Sequence, residues 1–134
     1  APVVTGTWEH AISASTLRAE AVEQALPAAV AVECRDALLD RQHSPPRPAL
    51  WPAAEFIVGN PPFLGGKKLR AVLGDDYVNT LFAAWSGQVP RGADLSAYWH
   101  ERARAQIAGR QSRRAALLAT QGIRAGANLR VLQR

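Results

Sequence analysis

The sequence has no methionine and a single cysteine, Cys34. A lone cysteine excludes an intramolecular disulfide, and without a nearby histidine pair it makes a poor metal site, so no metal and a reducing cytoplasm are expected. His10, His43 and His100 are scattered, and nothing pairs them with a nucleophile. No apolar run approaches the roughly 18 residues needed to span a bilayer. The front of the chain lacks the basic start, apolar middle and small-residue cleavage site of a secretory leader. A cytoplasmic, soluble chain with no membrane partner is expected. The missing methionine, the start at Ala1 and the stop at Arg134 directly after a helical stretch lead us to expect a fragment. Removal of an initiator methionine would also account for the start.

What is present is ordinary globular composition, 48% hydrophobic and 20% charged, over 134 residues. That length suits one domain with a core of its own and is short for a two-domain enzyme. Sixteen basic residues oppose eleven acidic ones, for a formal net charge of +5. Acids concentrate early, at Glu20, Glu23, Glu33, Asp36 and Asp40, whereas the arginines from Arg102 to Arg134 have no acid among them. Such asymmetry is the electrostatic footprint of a polyanionic partner. An arginine-rich surface from a high-GC genome is the plainer alternative.

Along the chain, "TWEHAISASTLRAEAVEQAL" from Thr7 to Leu26 has helix-forming composition and is closed by Pro27. The run Ala29 to Cys34 reads as a buried strand ending near Asp36. "DRQHSPPRPALWP" reads as a loop, its four prolines suiting neither helix nor ladder. Phe56 to Val58 is an uninterrupted apolar strand of the kind found in a parallel sheet covered on both faces. Asp75 or Asp76 can cap a helix carrying Tyr77, Leu81 and Trp85 at successive i, i+4 positions. Asp94 is placed to cap another, running to about Ala108 with Leu95, Trp99, Ala103 and Ile107 on one stripe. Trp85, Tyr98 and Trp99 read as core before they read as a stacking platform. Ala115 to Thr120 is a third strand, and "ANLRVLQR" starts a final helix. This order argues for an α/β parallel sheet with crossovers.

Ligands of open parallel sheets bind outside the carboxyl ends of the strands, and "NPPF", Asn60 to Phe63, sits at such an end. Proline has no N–H and a fixed φ, so Pro61 and Pro62 stiffen the loop and leave backbone carbonyls free as acceptors. Asn60 adds a side-chain carbonyl and, preceding proline, is held away from helical backbone. These form a rigid pair of acceptors suited to an exocyclic amine, and Phe63 adds a flat apolar face for a planar ring. A strand-terminating turn with Phe63 in the core is the purely structural alternative. Lys67, Lys68 and Arg70 read either as phosphate contacts or as a solvated turn. Gly65 and Gly66 make no phosphate loop, because Lys68 follows Lys67 and Pro61 stands six residues before it.

The tetrad resembles that of the amino-group DNA methyltransferases that use S-adenosylmethionine. The longer stretches "FIVGNPPFLGGKKLRAVLGDDYVNTLFAAW", "VPRGADLSAYWHERA" and "LLATQGIRAGAN" are similar to the large single-chain adenine methyltransferases allied to restriction systems. The resemblance runs from about Cys34 to the end and implies a partial Rossmann-like class I methyltransferase fold, a mostly parallel sheet with helices on both faces. Residues 1–134 would form one partial catalytic domain. It further implies that Asn60 and the Pro61 carbonyl accept hydrogen bonds from the N6 amine of an adenine flipped from double-stranded DNA, on which Phe63 stacks. Asp36 matches the acidic position that contacts the cofactor's adenine amine, with a solvated strand-end aspartate as the alternative. The chain departs from the family in two respects: no glycine-rich turn precedes Asp36 in these residues, and a target-recognition segment is expected to be missing. Methylation of ribosomal RNA guanine or of a release-factor glutamine, and a noncatalytic basic α/β module that docks nucleic acid, stay open as alternatives.

Overall fold

In a computed structural model of the chain, the described residues are 3–5 and 31–134. The helix expected from Thr7 to Leu26 lies outside them. Strand β1 (Val3–Thr5) pairs in parallel with β2 (Ala31–Glu33), Val3 lying opposite Ala31. The sequence reading did not assign β1, and β2 stops at Glu33 rather than near Asp36. The proline-rich stretch, expected to hold no ladder, contains a short antiparallel pair, β3 (Leu39–Asp40) with β4 (Arg47–Pro48). Side chains make that pairing possible where prolines limit backbone donors. Asp40 Oδ1 accepts from the Gln42 N–H at 3.1 Å, and Asp40 Oδ2 accepts from Arg47 Nε at 3.2 Å and lies 2.7 Å from His43 Nδ1.

Withdrawal from water acts to raise the Asp40 pKa, but the Arg47 hydrogen bond, the Gln42 N–H and the charges of His43 and Arg47 outweigh it and hold the carboxyl below its ordinary value. A depressed carboxyl contributes stability that is complete above its unfolded pKa and is lost as pH falls through the folded one. Asp40→Asn is therefore expected to flatten the acid limb of stability in melts taken between about pH 5 and about pH 2. An unchanged acid limb would refute the assignment.

Strand β5 (Phe56–Gly59) pairs in parallel with β6 (Arg114–Leu117), from Phe56 opposite Arg114 to Gly59 opposite Leu117. Between them run a 3-10 turn (Gly66–Lys68), α1 (Leu69–Leu73), α2 (Asp75–Ala84) and α3 (Leu95–Ala108). A second 3-10 turn (Gln121–Arg124) and α4 (Gly126–Leu132) follow β6. The described residues thus form an α/β chain with short strands, four helices and a small sheet containing a parallel pair. No helix among them is long and apolar enough to cross a membrane.

The core gathers where the helical stripes meet. Leu69, Val78, Leu81, Trp85, Leu95 and Tyr98 are all buried, with Trp85 and Tyr98 edge to face at 5.7 Å. Burial pushes the Tyr98 phenol up to about 12. Three expectations need correction. Neither Asp75 nor Asp76 caps α2: Gly74 holds the N-cap with φ 82°, and Asp75 instead pairs with Arg70 at 2.6 Å. Ile107 leaves the expected stripe and is exposed, because α3 buries Glu101 and Gln106 in its place. Glu101 is held by a bidentate bond from Arg104, 2.8 Å to each oxygen, and Gln106 Nε2 donates to the carbonyls of Trp51 and Pro52. The third concerns β5, expected to be covered on both faces, where Phe56 is 57% and Val58 81% exposed. Alternation along the strand leaves that side uncovered by the described residues.

Candidate active site

The tetrad begins where β5 ends. Gly59 is its last residue, and the Gly59 carbonyl accepts from the Leu118 N–H at 3.0 Å, so the loops leaving β5 and β6 start side by side. Pro61 and Pro62 are buried while Asn60 and Phe63 are exposed. The inward prolines fix the backbone and turn the carboxamide and the ring outward. Phe63, at 54% exposure, is not a core residue. Among the described residues no side chain or backbone N–H bonds the Asn60 carboxamide or the Pro61 carbonyl. Both acceptors the sequence reading singled out thus stand at the carboxyl end of a parallel strand pair.

Behind the tetrad the chain turns sharply. The Leu64 carbonyl accepts from the Leu95 N–H at 2.8 Å, and the Gly66 N–H donates to Asp94 Oδ1 at 2.8 Å. A Cβ at Gly66 would lie 2.5 Å from the Gly92 carbonyl oxygen, which is why this position takes glycine. Asp94 occupies the N-cap position of α3, as expected, but makes no side-chain cap bond: its carboxylate oxygens accept from the Gly66 N–H and from Asn128 Nδ2.

The expected phosphate contacts divide. Lys67 and Lys68 are exposed, with no ion pair among the described residues. Arg70 is engaged by Asp75 and by Asn79 Oδ1 at 2.9 Å, with its guanidinium 5.7 Å from the centre of the Phe82 ring. The basic C-terminal run divides likewise. Arg104 neutralises the buried Glu101, with Arg134 at 3.9 Å, and Arg113 pairs with Glu55. Arg110, Arg114, Arg124 and Arg130 are exposed without acidic partners among the described residues.

Asp36 follows β2 and is half-buried. Its Oδ1 accepts from the N–H groups of Leu38 and Leu39 at 2.9 and 3.0 Å, closing a local turn. Trp51 and Trp85 pin that turn through Nε1–H bonds to the Ala37 carbonyl at 2.7 Å and the Leu38 carbonyl at 3.1 Å. Burial, and next the negative charge of Asp36 facing the hydroxyl, push the Tyr77 phenol well above the ordinary tyrosine range. Asp36 also lines an open cavity of about 350 Å3 with Arg35, Leu39, Asp40, Arg41 and Gln42. A carboxylate offers roughly four acceptor positions. The two backbone donors, both on Oδ1, leave acceptor capacity on the carboxylate, enough for a donor such as an aromatic amine.

Reasoning from sequence missed the second strand-end loop. Residues Thr120, Gln121 and Arg124, after β6, wall a cavity of about 320 Å3 together with His100. The signal available was position alone, since a loop following a parallel strand is where ligands bind. Among the described residues no group of three His, Cys, Asp or Glu side chains is placed to hold a metal. No family model, curated protein or solved structure matches the chain.

Proposed function

We propose that this chain carries the amine-orienting loop of an S-adenosylmethionine-dependent DNA adenine-N6 methyltransferase. The observation that carries the reading is the tetrad itself: a parallel strand ending at Gly59, followed by an exposed carboxamide, two buried prolines and an exposed aromatic ring. Asn60 Oδ1 and the Pro61 carbonyl accept the two N–H bonds of the adenine amine, and Phe63 stacks on the ring. The methyl donor supplies an electrophilic carbon. With that carbon in place, Asn60 and the Pro61 carbonyl would aim the amine's lone pair at it, and the amine's surplus proton would pass to water. Orientation and charge placement supply the acceleration. Asp36 would hold the adenine amine of the methyl donor.

The strand pairs support the same reading. In a doubly wound sheet of order 3-2-1-4-5-6, strand 1 separates the pair 3-2 from the pair 4-5. The chain has two separate parallel pairs, β1 with β2 and β5 with β6. A glycine-rich strand from elsewhere in the protein, seated against β5, would complete the sheet and the cofactor site in the Rossmann-like manner.

The test is transfer of radiolabelled methyl from S-adenosylmethionine to duplex DNA, ribosomal RNA and release-factor protein, with the protein as its gene encodes it. Label is expected in DNA as N6-methyladenine. Label confined to RNA or protein would transfer the tetrad to the other amine substrates. Salt-sensitive DNA binding with no label anywhere would favour the noncatalytic basic module, which the exposed Lys67 and Lys68 also fit.

A further inference from the structure

Two side chains join the loops that leave β5 and β6. Asp94 accepts from the Gly66 N–H through Oδ1 and from Asn128 Nδ2 through Oδ2, both at 2.8 Å. The same Asn128 nitrogen donates to the Gly122 carbonyl at 3.0 Å, and Asn128 Oδ1 accepts from the Asp94 N–H at 2.7 Å. Every polar atom of the Asn128 carboxamide is thus engaged, and the residue is only 6% exposed. Gly66 belongs to the turn behind the tetrad, and Gly122 to the turn after β6. Asparagine is a weak helix former, so its place in the first turn of α4 reflects these bonds and not propensity.

We propose that Asp94 and Asn128 are positioning residues that clamp the turn behind the tetrad to the Thr120–Arg124 loop, so that the loops leaving β5 and β6 keep a fixed separation. For its catalytic consequence the proposal rests on the methyltransferase reading above. A displacement of about 1 Å at an amine-orienting loop lowers the rate about 100-fold. Neither side chain touches the substrate. The effect therefore falls on kcat, while KM for the methyl donor is preserved.

The pair has a polarity that a swap can probe. Asn128→Asp sets two carboxylates against each other, and Asp94→Asn sets two amide N–H groups against each other. The double variant Asp94→Asn with Asn128→Asp restores a donor facing an acceptor between them but leaves the Gly122 carbonyl without its donor. Hydrogen–deuterium exchange on the full protein is expected to quicken in residues 60–66 and 118–124 together in Asn128→Asp and in Asp94→Asn, with the α3 core residues Ala97 to Gln106 unchanged. In the double variant protection is expected to return to residues 60–66 but not to 118–124. Single variants are expected to lose about 100-fold in kcat with KM for S-adenosylmethionine preserved. Exchange that quickens in one loop only, or in neither, would overturn the clamp, as would single variants that keep the wild-type kcat. Should the wild-type protein transfer no methyl group, the methyltransferase reading fails, and the exchange pattern alone decides the clamp.

Discussion

Asn60→Ala is expected to lower kcat for methyl transfer about 1,000-fold, the scale seen when one preorganised hydrogen-bonding group is removed from a reacting centre. The side chain is exposed at the end of β5 and bonds no described residue, so its truncation removes little that folding uses. The free energy of unfolding should stay within about 0.5 kcal/mol of wild type. Steady-state kinetics with labelled methyl donor, paired with urea denaturation, checks both halves. A variant with undiminished kcat would sink the orienting role of the carboxamide, whatever the protein's substrate. Phe63→Ala should act on the same step through lost stacking, with stability again preserved, since the ring is 54% exposed.

Trp85→Ala is expected to cost about 3–5 kcal/mol, the range for truncating a large buried aromatic. Trp85 is 1% exposed, meets the Tyr98 ring edge to face, and donates its Nε1–H to the Leu38 carbonyl in the Asp36 turn. Domains of this size have only about 5–15 kcal/mol in all. The variant should therefore unfold at much lower urea, and the Asp36 turn should loosen with it. Trp85→Phe keeps most of the ring but loses the donor, and because the Leu38 carbonyl still accepts from the Ala49 N–H at 3.0 Å, the expected cost of the lost bond is only about 0.5–1.5 kcal/mol. Equal losses in the two variants would show that the hydrogen bond, and not the filled volume, carries the contribution of this residue.

Legibility followed range in sequence. The strand ending at Gly59, the helix from Leu95 to Ala108 and the buried Leu81 and Trp85 were readable because each is a local pattern of apolar residues bounded by prolines, glycines or polar residues, whereas the strand expected over Ala115 to Thr120 starts at Arg114 and stops at Leu117. The antiparallel pair around Asp40 was not, because bonds from the Asp40 carboxylate support a ladder that proline content argues against. Asp75 read as a cap and became an ion-pair partner, since Arg70 lies within reach only after α1 and α2 turn about Gly74. Glu101 and Gln106, which the stripe of Leu95, Trp99, Ala103 and Ile107 left out, are buried, each satisfied by a hydrogen-bond partner.

For the candidate site, the sequence by itself determined the rigid tetrad: two prolines at a strand end restrict φ and supply no N–H donor whatever the surroundings. It determined equally that Phe63 stands beside Asn60. Only tertiary structure decided which side chains face outward and what holds the loop in place. Asp94 and Asn128 are 34 residues apart, and their bonds to Gly66 and Gly122 exist because parallel pairing of β5 and β6 brings both strand-end loops to one edge. A hydrogen bond needs its partners within about 3 Å, and no spacing along the chain specifies that distance.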